Sequence, residues 1–379
     1  MKKTATLTFH ASHNYGSMLQ AYALQKTLEG LGCENEIINL RTHRQKMMYM
    51  SVKSKVGFSL RYNVKKMLLR LLNLFSGGAV ETKYSRFETF LCKDLKLSER
   101  EYSSLQELES SQLDYDYFIA GSDQIWKTKC SDFSWAYYLP FANCNAISYA
   151  PSLGPGRSEI INYEDQKKIK QYLLNFKNIS VREESSADII EQISGERPQV
   201  LLDPTMLLTL EQWQAKIPEK AIVEGDYILL YSPFFNKDLF EMAREFSSML
   251  NMKVVVSNLP GIERMHKLLR YQAFDYKVSA GPWEFLNLVR DSSLVISASF
   301  HAVVFSILLK RPFYALNGER DARVSNVLKF MNLSDRALEL SQVKEKKEEA
   351  LNVNFENNHK YLESEIQRSL EFLKKSLEL

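Results

Sequence analysis

The sequence predicts an α/β protein made of two Rossmann-like domains facing each other across a cleft, with helices at the C-terminus. Three observations predict it. Apolar runs of strand length alternate with helix-length patterns through residues 1–340, the order that a parallel sheet requires. The alternation falls into two series separated near Asp203-Pro204. The chain has 379 residues, 45% hydrophobic and 25% charged, which is material for two ordinary domains.

In the first series, alternation over Thr4 to Phe9 predicts a strand, and Met18, Leu19, Tyr22, Leu28 and Leu31 share one face of a helix over Ser17 to Leu31. Gly30 and Gly32 end that helix, and Glu36 to Leu40 supplies the next strand. Further buried strands are expected at Asp116 to Ala120, Ala146 to Tyr149, Ile179 to Val181 and Val200 to Leu202. The second series has strands at Tyr227 to Tyr231, Val254 to Val256, Leu294 to Ile296 and Phe313 to Leu316. Helices at 236–250, 282–291 and 301–310 lie between them. The expected domains are therefore 1–205, 206–340 and a helical tail over 341–379 rich in Lys, Glu and Leu.

Composition excludes several classes. Intrinsic disorder, collagen-like and solenoid architectures do not fit 14 Gly, 10 Pro and the absence of a repeat. No stretch approaches a membrane span, and Met1 to His10 runs into a strand without a signal-peptide core, so a cytoplasmic protein is expected. Cys33, Cys92, Cys130 and Cys144 have no metal-ligand spacing, nor do His10, His13, His43, His266 and His359 with His301. Reduced cysteines and no metal site are expected. The net charge of +3 is unevenly placed. Residues 41–80 hold nine Lys or Arg and no Asp or Glu, so this segment is +9 and the remainder −6. Within it Leu60, Val64, Met67, Leu68, Leu71, Leu72 and Phe75 take helical spacing, bordered by Arg61, Lys65, Lys66 and Arg70. That is the pattern of an interfacial helix meeting anionic lipid, and equally of a helix packed on the protein body; no nucleic-acid motif accompanies it.

Four polar junctions at strand ends are candidate sites. Asn14, Gly16 and Ser17 lie between the first strand and helix, where backbone N–H groups either bind an anion or make a capped turn. Ser122 and Asp123 end an apolar strand and either contact a sugar hydroxyl or cap a helix. Arg182 can clamp a carboxylate or phosphate, or pair with Glu183 or Glu184. His301, in Ser299-Phe300-His301, starts an apolar helix, a place for proton transfer or for packing.

Together Asn14-Tyr15-Gly16-Ser17-Met18-Leu19-Gln20-Ala21-Tyr22-Ala23-Leu24, Gly121-Ser122-Asp123-Gln124-Ile125-Trp126, Tyr149-Ala150-Pro151-Ser152-Leu153-Gly154, Ser180-Val181-Arg182-Glu183, Leu202-Asp203-Pro204-Thr205 and Ser299-Phe300-His301 resemble the polysaccharide pyruvyl transferase family in order. The resemblance implies a GT-B-like architecture, with the acceptor on the first domain and the donor on the second. It also implies transfer of an enolpyruvyl-derived group from phosphoenolpyruvate to two sugar hydroxyls as a ketal. Phosphoenolpyruvate is then a substrate and no cofactor is expected. Ser299 stands where many members have Arg, and Ala302 where they usually have Gly, so the donor's cation is sought in Arg182, Arg320 or Arg323. On this reading His301 supplies or relays a proton and Asp123 orients or deprotonates the acceptor. The acceptor is a saccharide of envelope or capsular polysaccharide assembly, lipid-linked or not, met at the inner face of the cytoplasmic membrane. A GT-B glycosyltransferase using a nucleotide sugar and a non-catalytic saccharide- or membrane-binding subunit are the alternatives.

Overall fold

The computed structural model describes residues 1–54, 60–142, 145–154, 161–258, 270–355 and 359–379, with backbone alone at 60–62, 359 and 360. Cys144, His266 and the side chains of Arg61 and His359 lie outside the described residues.

The first domain runs β1 (Lys3–Leu7), α1 (Tyr15–Gly30), β2 (Glu34–Leu40), α2 (His43–Met48), α3 (Leu60–Phe75), α4 (Ala79–Asp94), β3 (Leu97–Tyr102), α5 (Leu105–Glu109), β4 (Tyr117–Ala120), β5 (Ala146–Ser148), α6 (Tyr163–Leu173), β6 (Phe176–Asn178), β7 (Ser180–Val181), α7 (Glu184–Ser194) and β8 (Gln199–Val200). Six strands form a parallel sheet in the order β3-β2-β1-β4-β5-β6. The second domain follows α8 (Leu210–Gln214) with β9 (Tyr227–Tyr231), α9 (Lys237–Leu250), β10 (Lys253–Val256), β11 (Asp275–Tyr276), α10 (Pro282–Asp291), β12 (Leu294–Ser297), α11 (Phe300–Leu308), β13 (Phe313–Leu316), α12 (Ala322–Phe330) and β14 (Ala337–Leu338). Its order, β11-β10-β9-β12-β13-β14, repeats that of the first. Both sheets are covered on two faces, and so β4, β9 and β13 are buried at every position and read as unbroken apolar runs.

Two expected strands have a different place. Ser180–Val181 and Gln199–Val200 pair with each other, outside the main sheet. Hydroxyls hold this pair to β5: Ser148 Oγ donates to Ser180 O (2.8 Å) and Ser180 Oγ to Ser148 O (2.7 Å). The arrangement carries Arg182 out of the sheet and towards the second domain.

The tail does not stand apart as a third unit. Its helix α13 (His359–Leu377) sets Tyr361 against Phe330 of the second domain, while Phe372, Leu373 and Leu377 complete a core cluster with Tyr117, Ile147 and Tyr149 of the first. One large core spans both domains, from Tyr15, Tyr22 and Phe87 to Tyr231, Phe285 and Phe305. Tyr15 stacks on Phe285 at 4.4 Å, and its hydroxyl is shared by the carbonyls of Ser257 (2.8 Å) and Ala280 (3.2 Å).

Candidate functional site

In each sheet the strand order reverses beside the first strand, between β1 and β4 and between β9 and β12, the point at which open α/β sheets bind ligands. The loops leaving these four strands face one another across a cavity of about 890 Å³. Asn14 and Ser17 reach it after β1, Asp123 and Lys127 after β4, Ser232 and Asn236 after β9, and Ser299 and His301 after β12.

Helices α1, α9 and α11 start at this cavity, and helix starts favour anions. Asn14 caps α1 by accepting from Gly16 N (3.0 Å) and Ser17 N (3.3 Å), and Asn236 caps α9 by accepting from Asp238 N and Leu239 N. Ser299 precedes α11 without a side-chain cap bond, leaving the N–H groups of its first turn to another acceptor.

His301 crosses from the second domain to the first. Its ring lies on Gly16, where a Cβ would meet Nδ1 at 2.1 Å, so only glycine fits beneath it. The opposite ring nitrogen, Nε2, is buried and lies 3.5 Å from Asp203 Oδ2.

Asp203 is the hub of the polar network. Its Oδ2 accepts from Arg182 Nη1 (2.9 Å) and Ser122 Oγ (3.2 Å), and its Oδ1 from Thr205 N and Oγ1 (3.0 and 2.7 Å). Burial pushes its carboxyl up, but His301 and Arg182 outweigh burial and hold it well below the usual carboxylate range. Arg182 is also 3.6 Å from Glu183 and 3.8 Å from Asp123, and stacks on Phe300 at 4.6 Å. Asp123 has a left-handed backbone (φ 75°), costly for a non-glycine residue, and accepts from Ser17 Oγ at 2.5 Å.

The structure thus brings together Asn14, Gly16, Ser17, Asp123, Arg182, Ser299, His301 and Arg323 of the expected residues. Two expectations are corrected. Ser122 is fully buried and donates to Ala150 O and Asp203, so it supports Asp203 and does not touch an acceptor. Arg320 is exposed and pairs with Glu339 (2.9 Å), away from the cleft. Arg182 borders a second cavity of about 660 Å³; Arg323 and Phe300 border both, and Arg323 is forked onto Asp321. On α3, Lys66 is buried and bonded to Ser54 O, while Lys65 and Arg70 donate to Met47, Met48 and Val52 carbonyls. Lys65 and Lys66 are thus turned onto the chain itself, while Arg70 stays exposed.

Sequence reasoning missed Asp203, which reads as a turn residue before Pro204, and Asp132. Asp132 borders the cleft, accepts from Ser12 Oγ (2.6 Å) and Tyr49 Oη (2.8 Å), and is pushed up by burial. It also missed Lys127, Lys129 and Lys237, which bring three cations to the same cavity, two from the first domain and one from the second. Among the described residues no cluster of His, Cys, Asp or Glu is placed to hold a metal ion.

Solved structures similar to this chain share its architecture. UDP-GlcNAc 2-epimerase from Methanocaldococcus jannaschii is 12% identical with a TM-score of 0.55, over 99% of this chain and 100% of that one. S. aureus MnaA, solved with UDP, is 12% identical with a TM-score of 0.55, over 100% and 98%. UDP-N-acetylglucosamine 2-epimerase from Rickettsia bellii is 9% identical with a TM-score of 0.53, over 100% and 97%. Such identities show the fold alone, and the fold is GT-B-like. No curated protein matches the chain. The model of the polysaccharide pyruvyl transferase family matches residues 14–320, from the cap of α1 through the His301 junction; the chain belongs to that family.

Proposed function

We propose that this protein transfers the enolpyruvyl-derived group of phosphoenolpyruvate onto two hydroxyls of a saccharide as a ketal, in cell-surface polysaccharide synthesis. The observation that carries the reading is His301, seated on Gly16 and facing Asp203 across the domain boundary, in a chain of this family.

The donor carries about three negative charges. Lys127, Lys129, Lys237, Arg323 and the start of α11 meet them in the cleft, where low dielectric strengthens each contact. Arg182, neutralised by Asp203, Glu183 and Asp123, acts as a positioning residue: it fixes Asp203 and the Phe300 ring. His301 delivers a proton to the donor's methylene carbon, making C2 electrophilic. The first sugar hydroxyl attacks C2, phosphate leaves with its bridging oxygen, and the second hydroxyl closes the ketal. Of the two hydroxyl protons one is retained in the new methyl group, by way of His301, and the other leaves with phosphate. Two carboxylates, Asp123 and Asp132, stand in the cleft to accept from the two hydroxyls.

The test is acceptor-dependent phosphate release from phosphoenolpyruvate, with the product weighed for a pyruvate ketal. We expect His301→Gln to lower turnover by roughly 10²–10⁴-fold with saturating substrates. Full turnover in that variant would remove His301 from the chemistry. Stabilisation by a nucleotide sugar, with no phosphate release across the acceptor panel, would replace the reading with glycosyl transfer.

A further inference from the structure

The face that α3 turns outward is apolar, while Lys66 is buried beneath it and Lys65 is half-buried. Val64, Met67, Leu68, Leu71, Leu74 and Phe75 follow a single helical stripe of i, i+3, i+4, i+7, i+10 and i+11, and all are exposed, Leu74 by 74% and Phe75 by 84%. From Val64 to Phe75 it runs for about 16 Å along the helix. None of the six belongs to a core cluster among the described residues. An apolar stripe of that size left in water is an interaction surface.

From this we infer that α3 inserts its outer face into an anionic lipid surface. The charge around it selects that occupant. Residues 41–80 hold nine cations and no acidic residue; Arg41, Lys46 and Lys53 are paired with Glu88, Glu101 and Glu81, while Lys65 and Arg70 border the stripe and, with Lys66 beneath it, donate to backbone carbonyls that leave their charge in place. A second copy of the chain seated on the same stripe would bring two such segments together, like charge on like. Lipid phosphates carry the opposite sign, and each nearby cation adds attraction at an anionic surface. The helix lies along the interface and does not cross it: no described helix is long and apolar enough to span a membrane.

The surface leads to the cleft. Lys65 donates to the carbonyls of Met47 and Met48, and the next residue, Tyr49, borders the cleft and donates to Asp132. A saccharide carried on a lipid would thus be met within a few residues of the bilayer contact. This last step rests on the pyruvyl-transfer reading; the lipid contact does not.

Sedimentation of the full chain with phosphatidylcholine vesicles, with and without phosphatidylglycerol, tests it without any substrate. We expect salt-sensitive partitioning onto the anionic vesicles alone. The double variant Leu74→Ser/Phe75→Ser should reduce it by roughly tenfold or more for each side chain, with phosphate release on a soluble acceptor unchanged. No partitioning, partitioning equal on neutral vesicles, or partitioning indifferent to the double variant would each overturn the inference. A concentration-dependent dimer in sedimentation equilibrium, dissolved by the same variant, would overturn it in favour of a second copy.

Discussion

At the scale of single residues, the site depends on a contact that no sequence window contains. His301 and Gly16 are far apart in the chain, yet the ring of one occupies the space where the other would carry a Cβ. Gly16→Ala should therefore displace the imidazole. We expect turnover to fall by roughly a hundredfold, with a stability cost of about 1–3 kcal/mol, measured by phosphate release and chemical unfolding. The strand-end positions of His301, Asp123 and Arg182 were legible because apolar runs end in polar junctions. Asp203 was not, since an Asp before Pro and Thr is indistinguishable from a turn until Arg182 and His301 are seen beside it. Arg320 misled for the same reason: sequence proximity to Arg323 says nothing of the direction in which the 3₁₀ turn over Gly318–Arg320 points it.

At the scale of elements, buried strands were readable and edge strands were not. Leu97–Tyr102, with Ser, Glu and Arg in its interior, lies at a sheet edge with half its positions exposed and carries little apolar signal. Ile179 to Val181 reads as a sheet strand because its outer two residues are apolar and β-branched, whereas the partners of Ser180–Val181 are the Ser148 hydroxyl and β8. Helix α4 supplies a testable link between domains. Its Lys83 donates to Asn258 Oδ1 at 2.6 Å beside the Tyr15 ring, and burial lowers its ammonium to about 8. The folded state thus releases this proton before the unfolded state does. Stability should rise with pH from about 8 towards the ordinary lysine value near 10.5, by on the order of 2 kcal/mol at about pH 10. Buried tyrosines, whose hydroxyls are pushed above their ordinary value, oppose the gain beyond that. Lys83→Met should abolish the rise in pH-dependent denaturant unfolding.

At the scale of the whole molecule, the two series of strands and their boundary near Asp203 were legible in hydrophobic periodicity, and each proved to be a sheet of the same order. The return of α13 to the first domain was not, because a stripe of Leu, Ile and Phe names a buried face without naming what buries it. Leu373 is fully buried in the first domain's core although the second domain separates it in sequence from that core. Leu373→Ala should destabilise the protein by about 2–5 kcal/mol, seen as a lower midpoint in denaturant. The shared core has a kinetic meaning as well. Parting Tyr15, Phe87, Tyr231 and Phe285 would wet four rings at on the order of 10 kcal/mol, comparable with the stability of an entire domain. A wide hinge swing between the domains is therefore costly, and a ligand of the cavity has to come and go through a mouth that stands open between the strand-end loops.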